Sequence, residues 1–257
     1  MEIREVTCKT ALSLSALPGL TYSLNPYRGC QHNCTYCYVP NILRIKREAW
    51  GSFVQPKVNI PFILARELKK KTPGVVGIST VTDPYQPTER KYKLTRFCLE
   101  QLLRHDFPIC IQTKSALVTR DIDLISKFSH AEVMFSIGTL DDNERRRLEP
   151  YPSSIRERLA AMKQCSDAGI STSVFFGPIY PSVTVDELPV IINTFIDHGA
   201  RELTLDKFNV KPGLLTPLEH AFANHKTLLN DPLFFLSILE KTKEICEEKK
   251  IKAVSAF

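Results

Sequence analysis

Six short runs of apolar, β-favouring residues recur along the chain, at Leu20–Leu24, Val75–Thr80, Ile109–Thr113, Val133–Ile137, Thr172–Phe176 and Leu203–Phe208. Several are apolar nearly throughout, as strands covered on both faces must be. Between them lie stretches of helical period near residues 59–71, 91–104, 119–128, 154–168 and 185–198. In the fourth, Leu159, Met162 and Cys165 fall about one turn apart and build an apolar stripe, with Gly169 placed to stop the helix. Strand–helix alternation on this spacing predicts an α/β fold with parallel strands. About six units fit before residue 210, short of the ~250 residues of a full eight-unit barrel. The expected architecture is therefore a partial (β/α)6 TIM-type barrel, with an open sheet as the alternative. In either, ligands gather at the carboxyl ends of the strands. After Lys211-Pro212-Gly213 the strand pattern stops, and residues 217–250 read as helical with Pro232 as an interruption. This divides the chain into a barrel domain, 1–210, and a C-terminal helical cap, 211–257.

Composition fits this picture. The chain has 257 residues, 43% hydrophobic and 24% charged, enough for one large domain with a sizeable core. No fixed-period repeat is present, which argues against a solenoid. Acidic Glu2 and Glu5 precede a short, serine-broken apolar run, unlike a secretory leader. No stretch approaches the ~20 apolar residues of a spanning helix. A cytoplasmic, soluble protein is expected. The formal charge of +6 permits an anionic partner without requiring one.

The cysteines change the picture most. Of eight, five are scattered and three fall within residues 25–40, NPYRGCQHNCTYCYVP, at positions 30, 34 and 37. Clustered thiols in a chain of this kind point to a metal, isolated ones to packing. A loop this short can wrap Cys30, Cys34 and Cys37 round one centre, and thiolates are the ligands of iron–sulfur clusters. Three thiolates on a four-iron cube leave one iron open to bind a substrate or cofactor. The competing reading is a zinc site of Cys30, His32, Cys34 and Cys37, although structural zinc ligands more often come as two separated pairs.

CQHNCTYC resembles the signature of the radical S-adenosylmethionine (SAM) enzymes, three cysteines spaced by three and two residues with an aromatic before the last. The phrases TVTDPYQPTER (80–90), LTR (94–96), TKS (113–115), RDIDLI (120–125), FSIGTLD (135–141), RLEP (147–150) and GPIYP (177–181) resemble the spore photoproduct lyase-like, "DNA repair photolyase" branch. The resemblance implies a [4Fe–4S] cluster on Cys30, Cys34 and Cys37, and SAM bound through its amino and carboxylate groups to the open iron. It implies reductive cleavage of SAM to a 5′-deoxyadenosyl radical that abstracts hydrogen, with a reductant protein such as ferredoxin or flavodoxin. Tyr36 and Tyr38 match tyrosines that approach the adenine and are linked to hydrogen transfer, with ordinary packing as the competing explanation. Lys114 and Ser136 match SAM-contacting positions. Thr82 and Asp83 fall in the segment that contacts the methionine part of SAM, where Asp83 could instead simply form a turn. Gln86 and Glu89 extend that loop toward substrate. Thr80 stands where photoproduct lyases carry the cysteine that returns hydrogen to the repaired thymine. The substrate therefore stays open between a nucleic acid, to which the basic patches 44–47, 69–71, 89–93 and 145–147 would contribute, and a peptide or small molecule. A non-enzymatic metal-binding module is the remaining alternative.

Overall fold

A computed structural model describes residues 1–211 and 213–256; Pro212, in the expected boundary, and Phe257 lie outside the described residues. Eleven strands run in chain order: β1 (Glu2–Ile3), β2 (Leu12–Leu14), β3 (Tyr22–Leu24), β4 (Tyr27–Arg28), β5 (Phe53–Pro56), β6 (Val76–Ile78), β7 (Ile109–Thr113), β8 (Ala131–Ser136), β9 (Ser171–Phe176), β10 (Glu202–Leu205) and β11 (Lys252–Ser255). The main sheet has the order β11-β10-β9-β8-β7-β6-β3-β2. Seven strands, β3 and β6 to β11, are parallel, and β2 pairs antiparallel at the β3 edge. This is the expected α/β partial barrel, open between β2 and β11. A small second sheet, β1-β5-β4, lies at the start of the cysteine loop.

The helices are α1 (Val39–Leu43), α2 (Ile60–Leu68), α3 (Glu89–Tyr92), α4 (Leu94–Leu103), α5 (Ile122–Ile125), α6 (Asp142–Leu148), α7 (Ile155–Asp167), α8 (Leu188–Asp197), α9 (Leu215–Ala221) and α10 (Pro232–Glu248). The apolar strand runs fill the barrel interior. Leu24, Ile78, Ile111 and Val133 align across β3, β6, β7 and β8, each at most 1% exposed. Buried Leu159, Met162 and Cys165 form the predicted stripe of α7, whose start is fixed by the Ser154–Glu157 capping box.

Two expectations change. The strand pattern does not stop at residue 213: β11 adds a further parallel strand beside β10, with Leu203 opposite Ala253. Its four residues, next to the lysine-rich end of α10, are too short to show a period. Pro232 does not interrupt a helix but opens α10, where Asp231 caps the Leu233 N–H and proline's fixed φ suits the first turn.

Candidate active site

All seven parallel strands end on one side of the sheet, and the cysteine loop leaves the end of β3 there. Asn25 stitches it to the end of β6: its Oδ1 accepts from the Thr80 and Val81 N–H groups at 3.0 and 3.1 Å, and its Nδ2 donates to Thr80 Oγ1 at 3.2 Å. Gly29 adopts φ +84°, and a Cβ there would stand 2.4 Å from the Phe53 carbonyl oxygen. The Gly29 carbonyl accepts from Thr82 Oγ1 at 2.9 Å and Gln86 Nε2 at 3.3 Å. Fully buried Gln86 also accepts from the Gln31 N–H at 2.9 Å. Gly29→Ala is thus expected to destabilise the protein by on the order of 2 kcal/mol or more, through left-handed strain and the backbone clash. A urea titration of the variant, with m unchanged, checks this.

Thr82 and Asp83, expected to face SAM, are engaged by the protein. The Thr82 hydroxyl turns to Gly29 and accepts from Gln86 Nε2 at 3.0 Å. Asp83 Oδ1 accepts from Tyr85 N at 2.9 Å and Thr113 Oγ1 at 2.8 Å; Oδ2 accepts from Lys114 N at 2.8 Å and lies 3.3 Å from His32 Nδ1. A carboxylate offers about four acceptor positions, so Asp83 has none left for an ammonium group. Burial alone would raise its pKa, but the His32 charge and these bonds hold it down at about 2. Asp83 is the joint between the cysteine loop, the turn after β6 and the end of β7. His32 is thereby committed to Asp83. Among the described residues no three His, Cys, Asp or Glu side chains gather as one metal ion requires. The Cys₃His zinc alternative is not formed.

The three thiols lie on the inner side of the loop. Cys30 and Cys34 are buried and Cys37 is partly buried, and the Cys37 N–H donates to the Cys34 carbonyl at 3.0 Å. Burial pushes all three thiols up, Cys30 to about 12, and the other cysteines add to the rise at Cys30 and Cys34. Lys114 draws Cys34 and Cys37 down, and Arg47 draws Cys37 down. Arg47 holds the loop's outer side, donating to the carbonyls of Thr35, at 3.3 Å, and Cys37.

Lys114, just past β7, is partly buried, and its Nζ sits 5.8 Å from the Tyr36 ring centroid. No hydrogen bond or ion pair engages that ammonium among the described residues. Ser136, 1% exposed at the end of β8, accepts from Gln112 Nε2 at 3.2 Å through its hydroxyl, and from Arg158 Nη1 at 2.8 Å through its carbonyl. The Tyr36 hydroxyl donates to Glu149, which also accepts from Arg158 Nη2. Tyr36 meets Phe208 and Tyr180 edge-on, with centroids 5.7 and 6.5 Å apart. The structure thus brings Cys34, Cys37, Tyr36 and Lys114 together, with Ser136 linked to them through Arg158. Tyr38 is 40% exposed on the outer face of the loop, where Asp206, at the end of β10, contributes to raising its pKa. Glu149 and Arg158 carry no spacing or composition signal of their own; the Glu of RLEP is the one sequence hint of them.

The basic patches are partly spent inside the fold. Arg47 clamps the cysteine loop, and Arg145, 4% exposed, pairs with Asp142 at 2.9 Å. Neither extra cysteine replaces Thr80: Cys98 is buried on α4, and Cys110 is second from the start of β7, away from the strand ends.

A four-iron cluster fits this donor set: three enclosed thiols and cations beside them to hold the thiolate form. Three buried polar atoms in or beside the site, Trp50 Nε1, Ser79 Oγ and Tyr180 Oη, also meet no hydrogen-bond partner among the described residues. Such orphans call for a ligand or another specific explanation.

Residues 24–195 match the radical SAM superfamily. A protein of Methanocaldococcus jannaschii is 35% identical over 184 residues, covering 71% of this chain and 70% of that protein. The radical SAM Nα-GlyT isomerase of Pseudomonas phage M6 is 23% identical over 235 residues, covering 89% of this chain and 48% of the isomerase. The chain spans about two thirds of the length of most curated relatives it matches. Spore photoproduct lyase superposes with a TM-score of 0.78 at 16% identity, covering 99% of this chain and 82% of the lyase. Its complex with bound AdoMet and dinucleoside spore photoproduct gives 0.74 at 14% identity, covering 99% and 81%. The chain belongs to the radical SAM superfamily. Its fold is the partial barrel of spore photoproduct lyase, and the cofactors of its family are a [4Fe–4S] cluster and SAM. No helix among the described residues is long and apolar enough to cross a membrane.

Proposed function

We propose that the chain cleaves SAM reductively at a cluster held by Cys30, Cys34 and Cys37, and abstracts hydrogen from a nucleic-acid substrate. The observation that carries the first part is Lys114: a partly buried ammonium without a counter-ion in contact, above Tyr36 and close enough to Cys34 and Cys37 to lower their pKa values. A buried cation is costly unless paired, and the SAM carboxylate is the partner it suits. When bound, the cluster supplies the electron that splits the SAM sulfonium, giving methionine and a 5′-deoxyadenosyl radical.

The chain's own residues bind and orient. Lys114 takes the carboxylate. Ser136, held by Gln112 and backed by Arg158, offers a hydroxyl at the next strand end. Tyr36, fixed by Glu149, forms the wall beside Lys114. Thr82 and Asp83 shape the site by anchoring the cysteine loop and the Lys114 backbone rather than by touching SAM. Tyr38 faces outward with Asp206, on the side from which a substrate approaches. A ferredoxin- or flavodoxin-type protein serves as the reductant. The nucleic-acid assignment is supported by the dinucleoside photoproduct named in the matched lyase complex and by the +6 charge. Thr80, its hydroxyl bonded to Asn25, stands against a return of hydrogen by the lyase route.

Anaerobic reconstitution, dithionite and SAM are expected to yield 5′-deoxyadenosine; no product from an iron-replete protein overturns the reading. Lys114→Ala is expected to raise KM for SAM about 10- to 100-fold, the worth of one charged hydrogen bond. Deuterium passing from a labelled oligonucleotide into 5′-deoxyadenosine would support the substrate class. Its absence across DNA and RNA would count against it.

A further inference from the structure

The segment after α1 grips the cysteine loop from outside. Arg47 donates to the Thr35 and Cys37 carbonyls. Gly51, at φ +83°, abuts Asn33 so closely that a Cβ would stand 2.3 Å from the Asn33 side chain. Between them Trp50 is 4% exposed and packs in one cluster with Cys30, Val39, Cys37 and Val81. An indole carries one polar atom, a donor only. Here that N–H is fully buried and meets no nitrogen or oxygen acceptor among the described residues. An orphaned donor in such a place costs about 1–3 kcal/mol, so its retention in the wall of a thiol site asks for a use. The nearby polar group of consequence is the Cys37 sulfur. Burial raises that thiol, and the indole N–H is among the groups that draw it back down.

We propose that Trp50 is a positioning residue whose indole N–H donates to the Cys37 sulfur once that sulfur carries the charge of an iron thiolate, setting the cluster's reduction potential. This rests on the assignment of Cys37 as a cluster ligand. A thiolate is a far better acceptor than a neutral thiol. Hydrogen bonds to cluster sulfurs are among the levers on potential. Added electron density on the cluster strengthens the bond, so the N–H favours the reduced form and raises the potential.

The chain contains one tryptophan, so replacing tryptophan biosynthetically with β-(benzothienyl)alanine alters position 50 alone. The ring keeps its shape while sulfur replaces N–H. The experiment is an anaerobic redox titration of the reconstituted full chain, followed by the signal of the reduced cluster. The expected result is a more negative midpoint potential with iron content and melting temperature unchanged, and the same direction for Trp50→Phe. An unchanged potential at full iron content overturns the proposal. Failure of the underlying assignment looks different: Cys37→Ala then keeps its full iron and cluster signal.

Discussion

Replacing any one of Cys30, Cys34 and Cys37 by alanine is expected to abolish 5′-deoxyadenosine formation, while the polypeptide keeps a cooperative melting transition. The two halves share a cause. Burial holds all three thiols well above neutral pH, Cys30 at about 12. In the cluster-free chain they are neutral, small, largely apolar groups. Removing one sulfur then costs roughly 1 kcal/mol of packing, far less than a fold of this size can lose. The cluster needs the thiolates, so its insertion must expel up to three protons. Occupancy at limiting iron and sulfide should therefore rise with pH between about 7 and 9, by up to tenfold per proton per pH unit. Iron content and brown absorbance after reconstitution at several pH values measure this. A variant lacking one cysteine should show a shallower slope and little product. Full iron with undiminished product in all three variants would place the chemistry elsewhere.

The strands are legible in the sequence because burial on both faces leaves a mark in composition. Val133 and Phe135 on β8 and Val174 and Phe176 on β9 are each wholly buried, and their runs are apolar in the sequence for that reason. β11 is not legible, since four residues take their strand character from pairing with β10. The thiols are legible through their spacing within one loop. What surrounds them is not, because it is assembled across the chain. Asp83 has the look of a free ligand in its own segment, yet His32, Tyr85, Thr113 and Lys114 fill its acceptor positions. Arg47 belongs by sequence to a basic run of the solvated kind, yet it clamps two carbonyls of the cysteine loop. In each case local sequence names the donor or acceptor, and only the sheet order names its partner. Glu149 and Arg158 illustrate the same point, nine residues apart but joined through the fold to Tyr36 and Ser136.

That pair carries the second large effect. Arg158→Met is expected to destabilise the protein by about 3–5 kcal/mol, because it leaves a carboxylate buried without its cation. Arg158 is 0% exposed and Glu149 2%. Arg158 spends its donors on Glu149, the Ser136 carbonyl at 2.8 Å and the Ser153 carbonyl at 2.9 Å. Glu149→Gln should fall in the same direction, since it strands the guanidinium. The double variant should recover part of the loss, as matched removal of a buried pair is milder than removal of one partner. The pH dependence has a definite sign. Burial pushes the Glu149 carboxyl up, but the charges of Arg158 and Lys114 and the bonds from Tyr36 and Arg158 outweigh it, so it titrates below the usual carboxylate range. Its stabilisation is complete above the unfolded glutamate value of about 4.3 and is lost as pH falls through the folded value. Denaturant titrations from pH 7 to 3 should show that acid loss in the wild type and a shallower one in Glu149→Gln. The variants should also lose SAM cleavage, because Tyr36 and the Ser136 backbone lose the group that fixes them. A variant that keeps full stability and full activity would show that Glu149 and Arg158 do not hold the site.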